Sequence, residues 1–269
     1  MTDENDTGDT PDVPQDAPRE RIAKRLARAG LCSRREAERW IADGRVVVNG
    51  DKLTSPAFTV TDGDSILVDG KPIPGAAPAR LWRYHKPNGL ITSASDEFGR
   101  STIYDSLPGD MPRVMPVGRL DLNSEGLLLL TNDGGLKRAL ELPKTGWVRT
   151  YRVRAYGRPT DDAIQALKDG VVIDGVHFGS IDMTVEKQTG SNVWVQVKLR
   201  EGKNREVRRA LDSVDLVVNR LIRTSFGPFR LGNLRPGQAL EVPGHEMRRN
   251  LKGIIDTGRK DRGRADRRR

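Results

Sequence analysis

The stretch Val117–Thr131 places the tightest limits on how this chain can fold. Its sequence, VGRLDLNSEGLLLLT, runs through Asn123-Ser124-Glu125-Gly126 into four consecutive leucines. Asn, Ser and Gly mark a chain reversal. The run Leu127–Leu130 is too short for an ordinary helix and predicts a strand that is buried on both faces. We therefore expect Asp121 in a polar loop anchored to a core strand, where it either caps a turn or is held ready for chemistry.

The charge of the chain is large and unevenly distributed. Its 269 residues indicate about two domains, and the formal net charge is +9 at pH 7. Residues 1–18 hold six acids and no Lys or Arg. The rest of the chain, residues 19–269, therefore carries a formal net charge of +15. Such a surplus favours a polyanionic partner, with nucleic acid first and an anionic membrane surface second.

Several sequence features indicate a cytoplasmic protein that has no membrane partner. No apolar run approaches the roughly 20 residues that cross a bilayer. The acidic segment at residues 1–18 is the reverse of a signal peptide. Cys32 is the one cysteine in the chain, which excludes an intrachain disulfide and a cysteine metal cluster.

The first ordered unit is expected at residues 19–70, after a disordered acidic tail at 1–18. The spacing of Ile22 and Leu26 predicts a helix. The segment Ser33-Arg34-Arg35-Glu36 has the spacing of a capping box at the start of a second helix. Val46-Val47-Val48 followed by Asn49-Gly50 predicts a hairpin. The unit is therefore a helix–helix–hairpin domain.

This small unit is strongly basic. Ten Lys and Arg residues face five acids between Arg19 and Lys52. A solvated charged surface would explain part of this excess, but the two-to-one ratio in a compact unit favours a phosphate-binding face. The sequence RIAKRLARAGLCSRREAERWIADGRVVVNG also resembles the S4 RNA-binding domain, and the resemblance covers about residues 20–70. The RNA-binding candidates here are Arg21, Lys24, Arg25, Arg28, Arg34 and Arg35.

A Pro/Ala/Gly-rich linker at residues 71–79 separates this unit from a second domain at residues 80–246. Short turns join most of the predicted strands, so we expect an α+β domain with a mixed, mainly antiparallel sheet rather than a doubly wound parallel one. Residues 247–269 are predicted to form a basic C-terminal tail, of which Arg259–Arg269 has no apolar spacing and is expected to be flexible. Two strands are predicted within Leu81–Ala94, with others at Arg149–Tyr156, Ile181–Lys187, Val193–Arg200, Leu216–Arg223 and Gln238–Val242, and helices at Gly135–Leu142 and 161–169.

The sequence lacks the motifs of several reaction classes. His85, His177 and His245 lie far apart in no metal-ligand spacing, so we expect no metal site. The chain has no G-x-S-x-G nucleophile turn and no glycine-rich phosphate loop, so a serine hydrolase and a nucleotide cofactor are not supported. A glycosidase acting on nucleic acid would need two carboxylates across a substrate. Asp121 and Glu125 are the candidates, but the sequence does not place them across a bond.

The second domain carries several long motifs, the longest of which is GRLDLNSEGLLLLTNDG (Gly118–Gly134). This motif resembles the catalytic motif of the RsuA/RluB family of ribosomal RNA pseudouridine synthases. HKPNG, RTYRV, EGKNREVRRAL and LIRTSFGPFRL also occur in the family's order, and with the S4-like domain the resemblance covers about residues 20–245. It implies isomerisation of a uridine, first of all in large-subunit ribosomal RNA, without a cofactor. It also implies a monomer that acts on ribosomal RNA or on a partly assembled subunit.

The resemblance also assigns roles to individual residues. Asp121 is the catalytic aspartate, and whether it attacks the sugar or removes a sugar proton stays open. Tyr151 is the active-site tyrosine that stacks on the base, and Arg208 is the cation that pairs with the catalytic carboxylate. Arg119 helps to fill the space of the extruded nucleotide. Further RNA contacts are expected from Lys86, Lys203 and Arg205, although relatives often carry Arg at the position of Lys203.

One rival interpretation is a non-catalytic RNA-binding or ribosome-assembly factor in which the Asp121 loop is purely structural. That function would explain the charge, the S4-like domain and the basic tail. It would not explain why the Asp121 motif, Tyr151 and Arg208 occur together in one chain. The enzyme is therefore the favoured prediction.

Overall fold

The chain folds into two compact units that meet at Pro78 and Ala79. The computed structural model describes residues 19–94 and 96–254. The predicted acidic tail at 1–18 and residues 255–269 of the predicted basic tail lie outside the described residues. Across the described ranges, no helix is both long and apolar enough to pass through a membrane.

The N-terminal unit contains two helices packed on short strands. Two strand groups form, one with the order β3-β2-β5-β6 and one in which β1 pairs with β4. These elements are β1 (Glu20–Arg21), α1 (Ile22–Arg28), α2 (Arg34–Ala42), β2 (Val46–Val48), β3 (Asp51–Lys52), β4 (Thr59–Val60), β5 (Ile66–Val68) and β6 (Lys71–Pro72).

Apolar residues at helical spacing hold this unit together. Ile22 and Leu26 of α1 pack with Ala37 and Ile41 of α2, and all four are fully buried. The Ser33 hydroxyl accepts a hydrogen bond from the backbone N–H of Glu36 at 3.0 Å, which starts α2 as the capping motif predicts. The predicted helix–helix–hairpin arrangement is confirmed.

The beginning of the predicted linker differs from expectation. Lys71 and Pro72 form β6, which pairs antiparallel with β5 in the N-terminal unit. Proline is tolerated there because β6 lies at the edge of the sheet. Among the described residues, no further strand lies beside it that would need a hydrogen bond from the N–H that proline lacks. The first two residues of the predicted linker at 71–79 therefore belong to the sheet of the N-terminal unit.

The C-terminal unit is built on one large sheet, with two 3₁₀ helices at Ile103–Ser106 and Pro143–Thr145. Its strands and helices are β7 (Leu81–Lys86), β8 (Met115–Val117), β9 (Glu125–Thr131), α3 (Gly134–Glu141), β10 (Arg149–Tyr156), α4 (Asp161–Asp169), β11 (Val171–Ile173), β12 (Val176–Phe178), β13 (Asp182–Thr189), β14 (Asn192–Leu199), α5 (Glu206–Asp212), β15 (Val217–Phe226), β16 (Phe229–Arg230), β17 (Ala239–Glu241) and α6 (Gly244–Asn250).

The main path of the sheet has the strand order β13-β14-β10-β15-β9-β7-β17. Within the described residues its one parallel pairing joins β15 to β9, through Ile222 opposite Glu125 and Arg223 opposite Gly126. Its other pairings are antiparallel. The predicted α+β fold with a mixed, mainly antiparallel sheet is confirmed, and the parallel pairing divides the sheet into two halves.

Strand β9 is buried on both faces, as its four leucines predict. Leu128 and Leu130 join the core cluster beneath α4 and α5, which includes Leu167 and Leu211. Leu127 and Leu129 join a second cluster on the opposite face, where α3 and α6 pack. All four leucines of β9 are fully buried. The loop before β9 therefore has a rigid anchor.

Two predicted boundaries are wrong in the C-terminal unit. The second strand expected within Leu81–Ala94 is reduced to a single bridge between Ile91 and Thr102. The predicted basic tail at 247–269 starts too early, because Met247 and Leu251 pack against the second core cluster and Leu251 is 2% exposed. Burial of these two apolar side chains holds α6 on the domain despite its basic surface.

Candidate active site

The loop from Asp121 to Ser124 is a tight turn held from several sides. The N–H of Ser124 donates to the Asp121 carbonyl at 3.0 Å, which closes the turn. The N–H of Gly89 donates to the Leu122 carbonyl at 2.9 Å, and the Thr92 hydroxyl donates to the Leu120 carbonyl at 2.8 Å. These bonds fix the backbone directly before β9, so the fold sets the position from which the Asp121 side chain extends.

Lys86 forms the centre of this loop rather than part of an RNA-binding surface. It is fully buried, and its ammonium donates to the carbonyls of Ser124 at 2.8 Å, Pro87 at 3.0 Å and Asp121 at 3.1 Å. Burial lowers the pKa of Lys86 to about 8, and the charges of Asp121 and Glu125 oppose that change. The predicted RNA contact of Lys86 is wrong, because its three hydrogen bonds are directed into the protein, two at the Asp121–Ser124 loop and one at Pro87.

Replacing Lys86 with Met should change the pH dependence of stability. The unperturbed pKa is 10.5, so the unfolded chain binds more protons than the folded chain between pH 8 and 10.5. Stability of the wild type should therefore rise with pH across this window relative to Lys86→Met, by up to about 1.4 kcal/mol per pH unit. Denaturant unfolding at several pH values measures this difference. A difference that stays constant across this pH range would contradict it.

The Arg208 side chain contacts the backbone of the Asp121 loop and not the Asp121 carboxylate. Its guanidinium donates to the carbonyl of Asn123 at 2.6 Å and to the carbonyl of Val218 at 3.0 Å. Burial and the nearby charge of Arg205 lower the pKa of Arg208, while the charge of Asp121 raises it. Among the described residues, no ion pair joins Arg208 to Asp121, so the expected pairing is corrected to a bridge between the loop and β15.

Replacing Arg208 with Met should slow chemistry while leaving RNA affinity nearly unchanged. The variant loses both bonds that tie the loop to β15, and a small misplacement of a catalytic group costs on the order of 100-fold in rate. Single-turnover rates at saturating RNA, beside a binding titration, measure the two effects. Arg209→Met is the matched control, because the adjacent guanidinium contacts Ile173 and Asp174 instead. A normal rate with weakened binding would place Arg208 on the RNA surface.

Asp121 faces a cavity of about 440 Å³ at the junction of the two halves of the sheet. Tyr151 of β10 lines the same cavity and is 8% exposed. Apolar side chains from Leu199, Val207 and Leu221 complete this part of the wall. The space therefore combines a carboxylate, an aromatic ring and an apolar lining, which suits a base that has left its stack.

The rim and wall of the cavity are basic. Arg119, Lys203 and Arg205, all predicted RNA contacts, line it. Arg149 and Arg223 also line it and carried no predicted role, although both lie in quoted motifs. Arg223 is 4% exposed and donates to the Leu127 carbonyl at 2.7 Å, so it supports the strand that carries the loop. The structure thus brings Asp121 and Tyr151 together with positive charge suited to phosphate.

The segment before α5 has unusual local geometry. Arg205 has a φ of 49° and a ψ of 32°, the left-handed region that costs energy for a residue with a side chain. Glu206 is buried, and its carboxylate accepts a hydrogen bond from the N–H of Lys203 at 2.9 Å. Burial raises the pKa of Glu206. The bond to Glu206 holds the backbone so that Lys203 and Arg205 stay at the cavity.

The predicted basic residues of the N-terminal unit differ in availability. Lys24 and Arg28 form ion pairs with Glu20, and Arg25 pairs with Asp62. Arg21, Arg34 and Arg35 are exposed. A surface hollow of about 330 Å³ brings Arg21, Lys24 and Arg34 together. The exposed members of the predicted phosphate-binding face that form no ion pair among the described residues therefore lie beside α1 and at the start of α2.

Comparison with known proteins agrees with this architecture. Residues 20–66 match the S4 domain family, and residues 80–213 match the RNA pseudouridylate synthase family. An uncharacterized RNA pseudouridine synthase of Rickettsia bellii strain RML369-C is 47% identical over 223 residues, covering 83% of this chain and 96% of that protein. The ribosomal large subunit pseudouridine synthase B of Bacillus subtilis strain 168 is 34% identical over 243 residues, covering 89% and 98%.

A solved structure shows the same fold. A crystal structure of a pseudouridylate synthase superposes with a TM-score of 0.60 at 23% sequence identity, covering 86% of this chain and 99% of that one. The chain belongs to the RNA pseudouridine synthase family. Within it, the chain combines an S4 domain with the catalytic domain and is similar to the ribosomal large subunit pseudouridine synthases B. The predicted resemblance to the RsuA/RluB family is confirmed.

Proposed function

We propose that this protein converts a specific uridine of large-subunit ribosomal RNA into pseudouridine. The observation that carries the proposal is the cavity in which Asp121 and Tyr151 lie together beneath a basic rim. The similarity to ribosomal large subunit pseudouridine synthase B supports the choice of RNA. The substrate is ribosomal RNA or a partly assembled subunit, and the protein acts as a monomer in the cytoplasm, where ribosomes are made.

The reaction breaks the bond between uracil N1 and the ribose and forms a new bond from ribose to C5. The proton on C5 leaves and N1 gains a proton, so substrate and product have the same composition. Asp121 acts on the sugar, either as the nucleophile or as the base, and both roles need a fixed carboxylate. Tyr151 stacks on the detached uracil while it turns. No cofactor is required by this chemistry.

The remaining residues position the loop and the RNA. Lys86 and Arg208 hold the Asp121 loop through its carbonyl oxygens. Arg119, Lys203 and Arg205 contact the RNA around the extruded nucleotide. Flipping a base costs a few kcal/mol, least for a loop or an unpaired base. Phosphate contacts from the N-terminal unit, centred on Arg21 and Arg34, offset part of that cost and set the register.

The rival function is an RNA-binding assembly factor without catalysis. It accounts for the basic S4 unit but gives no role to a buried Lys86 that directs two of its three hydrogen bonds at the Asp121–Ser124 loop. A surface used only for binding would gain nothing from holding a carboxylate beside an aromatic ring in a basic cavity. The fixed position of the Asp121 loop therefore favours the enzyme over the assembly factor.

Tritium release tests the proposal directly. Forming pseudouridine exchanges the hydrogen on C5, so ribosomal RNA labelled at C5 should release tritium to water when the wild-type protein is added. Sequencing for pseudouridine in RNA from a strain that lacks the protein should then locate the target uridine. Tight RNA binding without tritium release, from both naked RNA and assembly intermediates, would establish the rival function instead.

A further inference from the structure

One face of the sheet is left open beside the catalytic half of the domain. Along β10 the side chains alternate, with Tyr151 and Val153 buried toward the cavity and Arg152, Arg154 and Tyr156 exposed on the other side. On that other side α3 and α6 cover the region of β9, where Leu127 and Leu129 are buried. The part of this side formed by β13, β14, β10 and β15 is exposed, and we call it the open face.

The open face is basic and carries aromatic rings. One row across the strands contains, in register, Lys187 of β13, Trp194 of β14, Arg154 of β10 and Arg220 of β15. Tyr156, which is 56% exposed, lies beyond Arg154 along the same strand. The charged side chains of this face are the cations Arg152, Arg154, Lys187, Lys198 and Arg220 and the acids Asp182 and Glu186, and Glu125 of the neighbouring β9 contacts Arg220.

Two of these arginines have protein partners. Arg152 donates to Glu186 at 2.8 Å, and its guanidinium lies 4.4 Å from the centre of the Trp194 ring. Arg220 donates through Nε to Glu125 at 2.5 Å. Both guanidinium groups are therefore held in place, and each forms part of the rigid frame around Arg154.

Arg154 differs from these neighbours. Across the described portion of the chain its side chain has no hydrogen bond or ion pair. It lies in a surface hollow of about 350 Å³ with Trp194, Arg220, Thr189 and Asn192. It also stands directly opposite Arg220, and like charges across a strand pair are destabilising. An anion placed beside Arg154 would remove that penalty.

We propose that the open face is a second RNA-binding surface, which takes a segment of the substrate RNA that flanks the reacting nucleotide. The planar guanidinium of Arg154 suits a phosphate, because it can donate two parallel hydrogen bonds. Tyr156, and the side of the Trp194 ring that Arg152 does not cover, offer aromatic surfaces on which unpaired bases stack. The surface lies on the opposite side of the sheet from the cavity, so it holds RNA without touching the reacting uridine. The proposal rests on RNA being the substrate of the proposed function.

Two RNA substrates of different length distinguish binding at the open face from binding at the active site. A short hairpin that carries the target uridine fills only the cavity, whereas the complete ribosomal RNA domain around that uridine can also reach the open face. Arg154→Ala in the full chain should bind the long RNA about tenfold more weakly, and the slope of log affinity against log salt should become shallower by about one. Trp194→Leu, which keeps an apolar side chain, should also weaken the long RNA about tenfold through lost stacking.

The hairpin supplies the decisive comparison. Both variants should bind it and convert it at saturation as the wild type does. Lys168→Ala, which removes one exposed charge from α4, should behave as the wild type with both RNAs. Unchanged affinity and salt slope of Arg154→Ala for the long RNA would overturn the proposal, as would an equal loss for both RNAs. Failure of the proposed function is distinguishable, since it would appear as absent tritium release from the wild type while the binding difference remained measurable.

Discussion

Asp121→Asn should abolish pseudouridine formation while the protein still folds and binds RNA. The amide keeps the size and the hydrogen-bonding capacity of the side chain but removes its charge and its nucleophilicity. Within the described residues the Asp121 side chain accepts no hydrogen bond, so the substitution breaks none of the hydrogen bonds that hold the loop. We expect tritium release to fall by at least about 1,000-fold, a loss of about 4 kcal/mol of transition-state stabilisation.

The control for this experiment is Asp133→Asn. Asp133 accepts a hydrogen bond from the N–H of Leu136 at 2.7 Å and caps α3. Asparagine caps a helix about equally well, so this variant should keep nearly full activity and stability. Residual turnover of Asp121→Asn within tenfold of the wild type, a loss of only about 1.4 kcal/mol, would remove Asp121 from the catalytic role.

Gly126→Ala should have the largest effect on stability. Gly126 has a φ of 104°, and a Cβ built there would lie 2.7 Å from the backbone nitrogen of Arg223 and closer still to its carbonyl oxygen. Gly126 and Arg223 are both buried, so neither backbone can move aside without loss of packing. We expect a fall of at least about 3 kcal/mol in the free energy of unfolding, together with loss of activity.

Gly237→Ala separates backbone strain from the close approach of two strands. Gly237 has a φ of 82°, and nothing lies within 4 Å of a Cβ built there. This control variant should lower the free energy of unfolding by only about 1 to 2 kcal/mol, which is the penalty of the left-handed conformation alone. Denaturant unfolding of both variants and the wild type measures the difference. Equal losses for the two variants would show that contact with Arg223 does not limit residue 126.

Local patterns predicted much of the fold because their cause is local. The leucines of β9, the capping motif at Ser33 and the alternation along β10 each depend on near neighbours, and each is confirmed. Leu81–Ala94 was predicted less well. Its second half has an apolar composition suited to a strand, but the structure gives Ile91 only a single bridge to Thr102. Whether a segment becomes a strand depends on what the rest of the fold places beside it.

The candidate active site shows the same difference between what local patterns predict and what the rest of the fold decides. Motifs identified Asp121 and Tyr151, and the structure places both in one cavity. They did not reveal that Lys86 is directed into the protein, because a lysine in a sequence is normally taken as exposed. Nor did they show that Arg208 bonds to the loop backbone at Asn123. Both facts depend on the distance between segments that are far apart in sequence, and residue type carries no information about that distance.

The short parallel pairing of β15 with β9 has a consequence for the order of folding. Asp121 belongs to the half of the sheet that contains β9, and Tyr151 belongs to the half that contains β10 and β15. The pairing of Arg223 with Gly126 joins them across a long stretch of chain. Contacts of such sequence separation form slowly, because the intervening chain must first be closed into a loop. In a refolding experiment, recovery of enzymatic turnover should therefore lag behind recovery of secondary structure, and activity reports when the two halves have joined.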